Sequence, residues 1–220
     1  MTPPPRLANS HALCGFSVKA APAAAIVLAG GRSSRMGRPK AALDFAGVPL
    51  LTRVVSELKR RFAEIVVVAA PESEDLLQID VPATKIIHDE VAFWGPLDAL
   101  RRGLEAITNE IAFACSCDLP LLDCDVAAAI VAMLDGFDAA IPIVGGKLQP
   151  LHAAYRKRCA GALAALATRG ESRLAAVAGA VNTRRIPEND LRVLDPELHS
   201  FFNLNTLDDY RRALKLAGLG

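Results

Sequence analysis

Residues 28 to 40 combine three glycines with four cationic side chains, directly after the apolar run 23–27. They read Leu-Ala-Gly-Gly-Arg-Ser-Ser-Arg-Met-Gly-Arg-Pro-Lys. Gly30 and Gly31 allow the backbone to approach a ligand closely and to adopt a positive φ without steric cost. The cations can meet several negative charges at once, and they are Arg32, Arg35, Arg38 and Lys40. This composition is typical of a loop that binds polyphosphate.

Two common phosphate-binding motifs do not describe this loop. A Walker A loop requires G-x-x-x-x-G-K-[ST], whereas Gly31 and Gly37 are separated by five residues and Gly37 is followed by Arg38. The dinucleotide fingerprint G-x-G-x-x-G does not occur at this place either. The loop therefore belongs to another class of nucleotide or phosphate site.

A carboxylate follows a second apolar run, in Cys117-Asp118-Leu119-Pro120. A side chain at the carboxyl end of a buried parallel strand lies on the edge of the sheet where ligands bind. Carboxylate oxygens suit Mg²⁺, which usually binds one or two carboxylates together with phosphate oxygens. An aspartate that caps nearby amides in a turn is the alternative interpretation of Asp118.

Strand and helix patterns alternate along the chain, which is typical of a parallel sheet with crossover helices. We therefore expect an α/β fold with three layers, α/β/α, that is Rossmann-like and has a mostly parallel sheet. Apolar runs predict the strands, and helical spacing of apolar residues predicts the helices between them. The predicted strands are 24–28, 65–70, 84–88, 111–117 and 138–144, and the predicted helices are 50–62, 72–77, 97–107 and 124–134.

The last third of the chain is less regular. Gly145-Gly146 predicts a tight hairpin turn, and Thr206 followed by Asp209 resembles a capping box at the start of a final helix. The further predicted elements are strands at 152–155 and 181–186 and helices at 157–168, 171–178 and 206–216. We expect a single domain over residues 22–220, preceded by a poorly ordered extension over residues 1–21.

Composition limits the function classes. The net charge of +1 gives no global field that would attract nucleic acid or an anionic membrane, and no apolar stretch is long enough to span a bilayer. The odd count of five cysteines favours reduced thiols and hence a cytoplasmic protein. Cys115, Cys117 and Cys124 could begin a zinc site, but no second pair of ligands follows, and buried thiols are the alternative.

The segment from Leu28 to Lys40 resembles the LAGGxSxRMGxxK signature of the molybdenum cofactor guanylyltransferases, within the nucleotidyltransferase superfamily. Every fixed position of that pattern is met. Cys117-Asp118-Leu119-Pro120 matches the C-D-x-P with which this family binds magnesium. Gly95-Pro96-Leu97 matches its G-P-L, which opens a helix whose N-terminus faces the nucleotide.

The resemblance implies a role for each matching residue. In the family, an aspartate at the place of Asp89 accepts hydrogen bonds from guanine N1 and N2, while a solvated loop acid is the alternative. Asn205 could reach the metal or the acceptor phosphate, and an ordinary turn or cap asparagine is the alternative. The implied catalytic residues are Arg35, Lys40 and Asp118, with Asp118 also holding Mg²⁺. The implied nucleotide-binding residues are Leu28, Ala29, Gly30, Gly31, Lys40, Asp89, Gly95 and Asp118. The implied second-substrate residues are Gln149, Ser172, Asn203 and Asn205.

The activity that the resemblance implies is transfer of GMP from GTP to the terminal phosphate of molybdopterin, with release of pyrophosphate and transient contact with other molybdenum cofactor proteins. The nearest alternative is a cytidylyltransferase for the same pterin, since those relatives read L-A-A-G where this chain reads Leu-Ala-Gly-Gly. The extra glycine leaves more room beside a purine. The family's asparagine after the second strand is absent here, where Ala70-Pro71 stands, and this departure bears on nucleotide choice. Transfer to another small phosphate and a non-catalytic cofactor-binding or delivery protein are the remaining alternatives.

Overall fold

The computed structural model describes residues 22–30, 40–70, 81, 84–88 and 95–219. Within them eight strands form one mixed sheet, and they are β1 (Ala24–Leu28), β4 (Glu64–Ala69), β5 (Lys85–His88), β6 (Ile111–Ser116), β7 (Ala139–Val144), β8 (Lys147–Leu148), β9 (His152–Arg156) and β10 (Thr183–Pro187). Their order is β10-β7-β9-β6-β1-β4-β5, with β8 paired to β7. All of them run in one direction except β8 and β9, which run in the opposite direction.

Helices cover both faces of the sheet. On one face α1 (Leu50–Leu58) and α3 (Cys124–Ala132) pack against the sheet. On the other face lie α2 (Pro96–Ala106), α4 (Cys159–Thr168) and the short α5 (Val177–Ala180). This confirms the predicted three-layer α/β fold with a mostly parallel sheet. Two further helices are α6 (Glu188–Leu191) and α7 (Leu207–Leu216).

The central strands owe their position to continuous apolar sequence. All five residues of β1 are buried, as expected for a strand covered on both faces by helices. The helix α2 approaches this strand closely because of Gly103. A Cβ atom at that position would lie 2.6 Å from Cγ2 of Ile26, so the helix could not keep its present distance with a larger residue.

A small hairpin outside the main sheet was not predicted from the sequence. Its strands are β2 (Asp44–Phe45) and β3 (Val48–Pro49). Phe45 packs with Leu204 and Ala213 in a separate apolar cluster, and its ring meets that of Tyr210 edge-on at a centroid distance of 5.7 Å. The hairpin thereby holds α7 and the segment that precedes it against the rest of the molecule.

Several local predictions are confirmed. Gly145 and Gly146 have φ values of 57° and 73°, as the predicted tight hairpin between β7 and β8 requires. Thr206 and Asp209 form a complete capping box at the start of α7. The predicted helix over 72–77 lies outside the described residues, and the predicted helix over 171–178 is a 3₁₀ turn, Leu174–Ala176, followed by α5. None of the helices in the described ranges is both long and apolar enough to cross a membrane.

Candidate functional site

Four neighbouring strands end side by side at what we call the carboxyl edge, formed by the ends of β5, β4, β1 and β6. Leu28 at the end of β1 is in register with Val68 on one side and with Ser116 on the other. Ala69 on β4 is in register with His88, the last residue of β5. The predicted site segments that follow β1, β5 and β6 therefore all leave the sheet at the same edge.

The start of the glycine-rich loop continues the sheet. The amide of Ala29 donates to the carbonyl of Val68 at 2.8 Å, and Gly30 is exposed beside Ala70. Gly30 does not adopt a positive φ, although the sequence suggested that it could. A Cβ atom at position 30 would lie 3.5 Å from the amide nitrogen of Ala70, which is an ordinary contact. The fold itself therefore tolerates alanine at this position.

Several predicted site residues lie outside the described ranges or at their ends. Gly31, Arg35 and Asp89 lie outside them. Lys40 begins a 3₁₀ turn, Lys40–Ala42, which leads into the β2–β3 hairpin. The backbone of Lys40 is thus fixed at the end of the loop, and the roles of these four residues remain predictions from the sequence.

Asp118 lies just beyond the end of β6. The amide of Cys117 donates to the carbonyl of Leu28 at 3.1 Å, and the carbonyl of Asp118 accepts from the amide of Leu204 at 2.9 Å. The side-chain hydroxyl of Ser116 donates to Oδ1 of Asp118. These contacts join β1, the Asp118 turn and the segment before α7 at the carboxyl edge.

Arg53 also contacts the turn that contains Asp118, and this residue was not predicted from the sequence. Its Nε donates to the carbonyl of Pro120 at 2.6 Å, and its guanidinium lies over the ring of Phe45, 5.1 Å from the centroid. The pKa of Arg53 is lowered by burial, and the nearby Glu57 carboxylate offsets only part of this shift. Arg53 was overlooked because it flanks the apolar stripe of α1, where a cation usually faces water.

The N-terminus of α2 also reaches the carboxyl edge. Gly95 is the N-cap residue with φ 86° and ψ 176° and has no side chain to cap the helix, and Pro96 follows it. Only glycine adopts such a backbone conformation without strain. The guanidinium of Arg102 donates to the carbonyl of His88 at 2.9 Å, and so α2 is tied to the end of β5. The predicted open helix N-terminus beside the site is present.

The predicted second-substrate residues have mainly local contacts in the structure. The amide of Gln149 donates to the carbonyl of Pro142 at 2.9 Å, just before β9 begins at the carboxyl edge. The side chain of Asn203 donates to the carbonyl of Phe201 at 3.2 Å, and the amide of Asn205 donates to Asp209 at 3.1 Å. Ser172 is exposed after α4, and its amide donates to Glu171 at 3.0 Å. The bond from Leu204 to Asp118 brings Asn203 and Asn205 to the edge, whereas Ser172 contacts its own neighbour.

A second polar group, here called the inner cluster, consists of Glu57, Asp123 and Cys124. Their donor atoms all lie within 4.8 Å of one another, and the set could hold a metal ion. However, Glu57 accepts from Arg60 at 2.6 Å and from the amide of Cys124 at 3.2 Å. Asp123 caps α3 by accepting from the amide of Asp125 at 2.7 Å. Burial, reinforced by Glu57, raises the pKa of the Cys124 thiol, and so this thiol is protonated at neutral pH.

The inner cluster does not contain Cys115 or Cys117, which the sequence suggested as partners of Cys124 in a zinc site. Both lie in the apolar core on the α1 and α3 face, and all four cysteines in the described residues are buried. Burial raises the pKa of Cys115. Their environment is that of buried thiols.

His152, the first residue of β9, is fully buried and is connected to the inner cluster through Ser200. Its Nε2 lies 3.3 Å from Oγ of Ser200, which in turn accepts from the amide of Asp123 at 3.1 Å. Its ring packs on Phe201 at a centroid distance of 4.0 Å, and Nδ1 has no hydrogen-bond partner among the described residues. Burial lowers the pKa of His152 to about 3, so the ring is neutral at neutral pH.

Comparisons with a family model and with curated proteins both identify the same family. Residues 25–184 match the family model of the MobA-like NTP transferase domain. A protein of Pelotomaculum thermopropionicum named "probable molybdenum cofactor guanylyltransferase" is 31% identical over 195 residues, covering 89% of this chain and 93% of that protein.

Solved structures share the fold. Molybdopterin-guanine dinucleotide biosynthesis protein A from Archaeoglobus fulgidus has a TM-score of 0.77 and 25% identity, and the match covers 89% of this chain and 98% of that one. A Mycobacterium tuberculosis H37Rv protein crystallised as a manganese complex has a TM-score of 0.63 and 17% identity, with coverage of 89% and 99%.

Proposed function

The chain belongs to the MobA-like NTP transferase family and is a nucleotidyltransferase, and from this premise we propose that it transfers GMP from GTP to the terminal phosphate of molybdopterin. The products are the guanine dinucleotide cofactor and pyrophosphate. The observation that carries the proposal is the position of Asp118 beside the Leu28–Gly30 segment, fixed by the pairing of β1 with β6. The start of the glycine-rich loop, Leu28–Gly30, and the carboxylate thus lie at the same edge.

The nucleophile in this reaction needs no catalytic base. A phosphate monoester has a second pKa near 6 and is mostly ionised at neutral pH. Attack of its oxygen on the α-phosphorus of GTP forms the new P–O bond as the bond to pyrophosphate breaks. The main obstacle is repulsion between two anionic substrates, and so positioning and charge neutralisation supply the catalysis. His152 is consistent with this, because a buried ring with a pKa of about 3 is not suited to general-base catalysis.

The residues at the carboxyl edge fit a divalent cation of the hard, oxygen-preferring type. Asp118 offers carboxylate oxygens and is only partly buried, which suits Mg²⁺ bound through one or two carboxylates and substrate phosphates. When bound, Mg²⁺ would neutralise phosphate charge and polarise the α-phosphoryl group. In our proposal Asp118 holds the cation, with Asn205 as a neighbouring oxygen donor, while Lys40 and Arg35 bind the triphosphate.

The remaining assignments follow the family pattern. Asp89 would accept from guanine, and the open N-terminus of α2 at Gly95 would face the nucleotide, since helix N-termini favour anions. Leu28, Ala29, Gly30 and Gly31 would line the nucleotide by their backbone. The pterin substrate would be bound by Gln149, Ser172, Asn203 and Asn205. The hydrogen bond from the amide of Leu204 to the carbonyl of Asp118 holds Asn203 and Asn205 near Asp118.

The decisive experiment supplies molybdopterin cofactor and Mg²⁺ with either GTP or CTP and identifies the dinucleotide by mass spectrometry. We expect the guanine dinucleotide. A cytosine product would replace the base assignment with that of a cytidylyltransferase, and no product with either nucleotide would favour a binding or delivery protein.

The variant Gly30→Ala tests the base assignment without disturbing the fold. A Cβ at this position makes only ordinary contacts with Ala70, and so the melting temperature should stay unchanged. If the glycine makes room for a purine, the kcat/KM for GTP should fall about tenfold relative to that for CTP, a change on the order of 1.4 kcal/mol. An unchanged GTP preference would contradict this role of Gly30.

A further inference from the structure

We propose that Ser116 is a positioning residue that orients the carboxylate of Asp118 for cation binding, an inference that rests on the proposed function. Ser116 is the last residue of β6 and is half-buried. Its hydroxyl donates to Oδ1 of Asp118. Neither the sequence motif nor the family pattern given above assigns a role to this residue.

The backbone on both sides of the pair is already fixed. Ser116 is in register with Leu28 in the β1–β6 ladder, and the next amide, that of Cys117, donates to the carbonyl of Leu28 at 3.1 Å. The carbonyl of Asp118 itself accepts from the amide of Leu204 at 2.9 Å. The main freedom left to Asp118 is therefore rotation of its side chain, and the Ser116 hydroxyl restrains that rotation.

The chemistry of the donor matters as much as its position. A hydroxyl is neutral, so it orients the carboxylate without cancelling its negative charge. In the inner cluster, by contrast, Glu57 is bound by the guanidinium of Arg60 at 2.6 Å. Hydrogen-bond donors behind a metal ligand commonly change metal affinity or activity by 10- to 100-fold.

Three substitutions at position 116 separate the hydroxyl from the space that it fills. Ser116→Ala removes the donor and should be accepted by the fold, because positions 112 and 114 of the same strand are alanine. Ser116→Cys keeps the volume with a weak donor. Ser116→Thr keeps the hydroxyl and adds a methyl group that strands accept well. The matched control is Thr183→Val in β10, whose hydroxyl donates to the carbonyl of Val181 at 3.2 Å.

The experiment measures binding of Mn²⁺ in the presence of GTP by electron paramagnetic resonance, against blanks that contain GTP alone. The same variants are assayed for kcat and for the Mg²⁺ concentration that gives half-maximal rate. We expect Ser116→Ala and Ser116→Cys to weaken Mn²⁺ binding about tenfold and to raise the required Mg²⁺ by a similar factor. Melting temperatures should stay near the wild-type value. Ser116→Thr should restore both quantities to within about twofold, and Thr183→Val should change neither.

Asp118→Asn in the same experiment separates this inference from the proposed function. If Asp118→Asn loses Mn²⁺ while Ser116→Ala keeps wild-type affinity, the positioning role of Ser116 is overturned and the proposed cation site stands. If both variants bind Mn²⁺ as the wild type does, the cation site and the role of Ser116 are both overturned. Failure of Ser116→Thr to restore binding would also overturn the inference.

Discussion

The surroundings of the Asp118 carboxylate differ from those of the carboxylates Glu57 and Asp123. Asp118 follows β6 at the carboxyl edge, where a neutral hydroxyl binds its side chain. Glu57 and Asp123 belong to the inner cluster, between α1 and α3.

If the cation binds at Asp118, as we propose, donor type alone does not define the metal site. By composition the inner cluster is the richer set, with two carboxylates and a thiol. Yet the charge of Glu57 is paired with Arg60, Asp123 binds the helix N-terminus, and the Cys124 thiol is protonated. Each potential metal ligand of the inner cluster thus already has a partner within the protein or is protonated. Asp118 lies instead at the edge where the loop backbone, the end of β5 and the N-terminus of α2 converge.

The largest expected effect distinguishes the two groups directly. Asp118→Asn keeps the shape of the side chain but removes its charge, and we expect kcat to fall on the order of 10²-fold or more, since charge stabilisation at the transition state is lost. Glu57→Gln removes an exposed ion pair worth up to about 1 kcal/mol and should leave kcat within about twofold. Steady-state kinetics with GTP and molybdopterin measure both.

The reverse pattern would exchange the two roles. If Glu57→Gln abolished turnover while Asp118→Asn kept it, the inner cluster would be the functional cation site. Asp123→Asn is a useful companion variant, because asparagine caps helices as well as aspartate does and so isolates the charge from the cap.

A smaller effect concerns the pH dependence of stability. The pKa of His152 is lowered by burial from 6.5 to about 3, so between these values the unfolded chain binds a proton that the folded chain does not. The free energy of unfolding therefore has its full value above pH 6.5 and decreases as the pH falls toward 3. Between pH 7 and pH 5 the loss should be about 2 kcal/mol. Urea unfolding at both pH values measures it.

The variant His152→Phe should remove most of that pH dependence, because phenylalanine cannot bind a proton in either state. His199→Gln, at a half-buried position on the same segment as Ser200, is the control that should keep the dependence on His152. An equally steep loss of stability in His152→Phe would show that another group causes it. Turnover at pH 7 should change less than stability, since in our proposal neither the inner cluster nor His152 takes part in the reaction.

The smallest effect is the reactivity of the Cys124 thiol. Burial and Glu57 raise its pKa, and the thiolate is the reactive form. We expect little alkylation of Cys124 in the native protein by iodoacetamide at pH 8, and only a modest increase in Glu57→Gln. Peptide mass spectrometry locates the label. Rapid alkylation of Cys124 in the native state would contradict its assignment as an inert member of the inner cluster.

Much of the fold was predictable because the local signals agree with one another. The apolar run before Gly30 predicted β1 with its observed bounds, and the double glycine at 145 and 146 predicted the β7–β8 turn. The β2–β3 hairpin was missed because its strands have two residues each, too few for any periodic pattern. The antiparallel direction of β9 could not be predicted either, since apolar residues suit either direction.

The site was predictable in outline. The position of Asp118 after an apolar strand placed it at the carboxyl edge, as the structure shows. Arg53 and Ser116 were not identified. The first acts on the carbonyl of Pro120, 67 positions away, and only tertiary folding creates that contact. Ser116 lies two residues before Asp118, and a donor at this spacing on a strand end is a signal that could have been used.

The sequence by itself determined which residue types follow which strands, because burial of apolar runs and the turn preferences of glycine act locally. It also carried the resemblance that identifies the family. The tertiary structure decided that Glu57 accepts from the amide of Cys124, 67 positions away, and that burial together with Glu57 raises the pKa of the Cys124 thiol. The electrostatic state of a side chain depends on neighbours from distant parts of the chain, and packing alone brings them together.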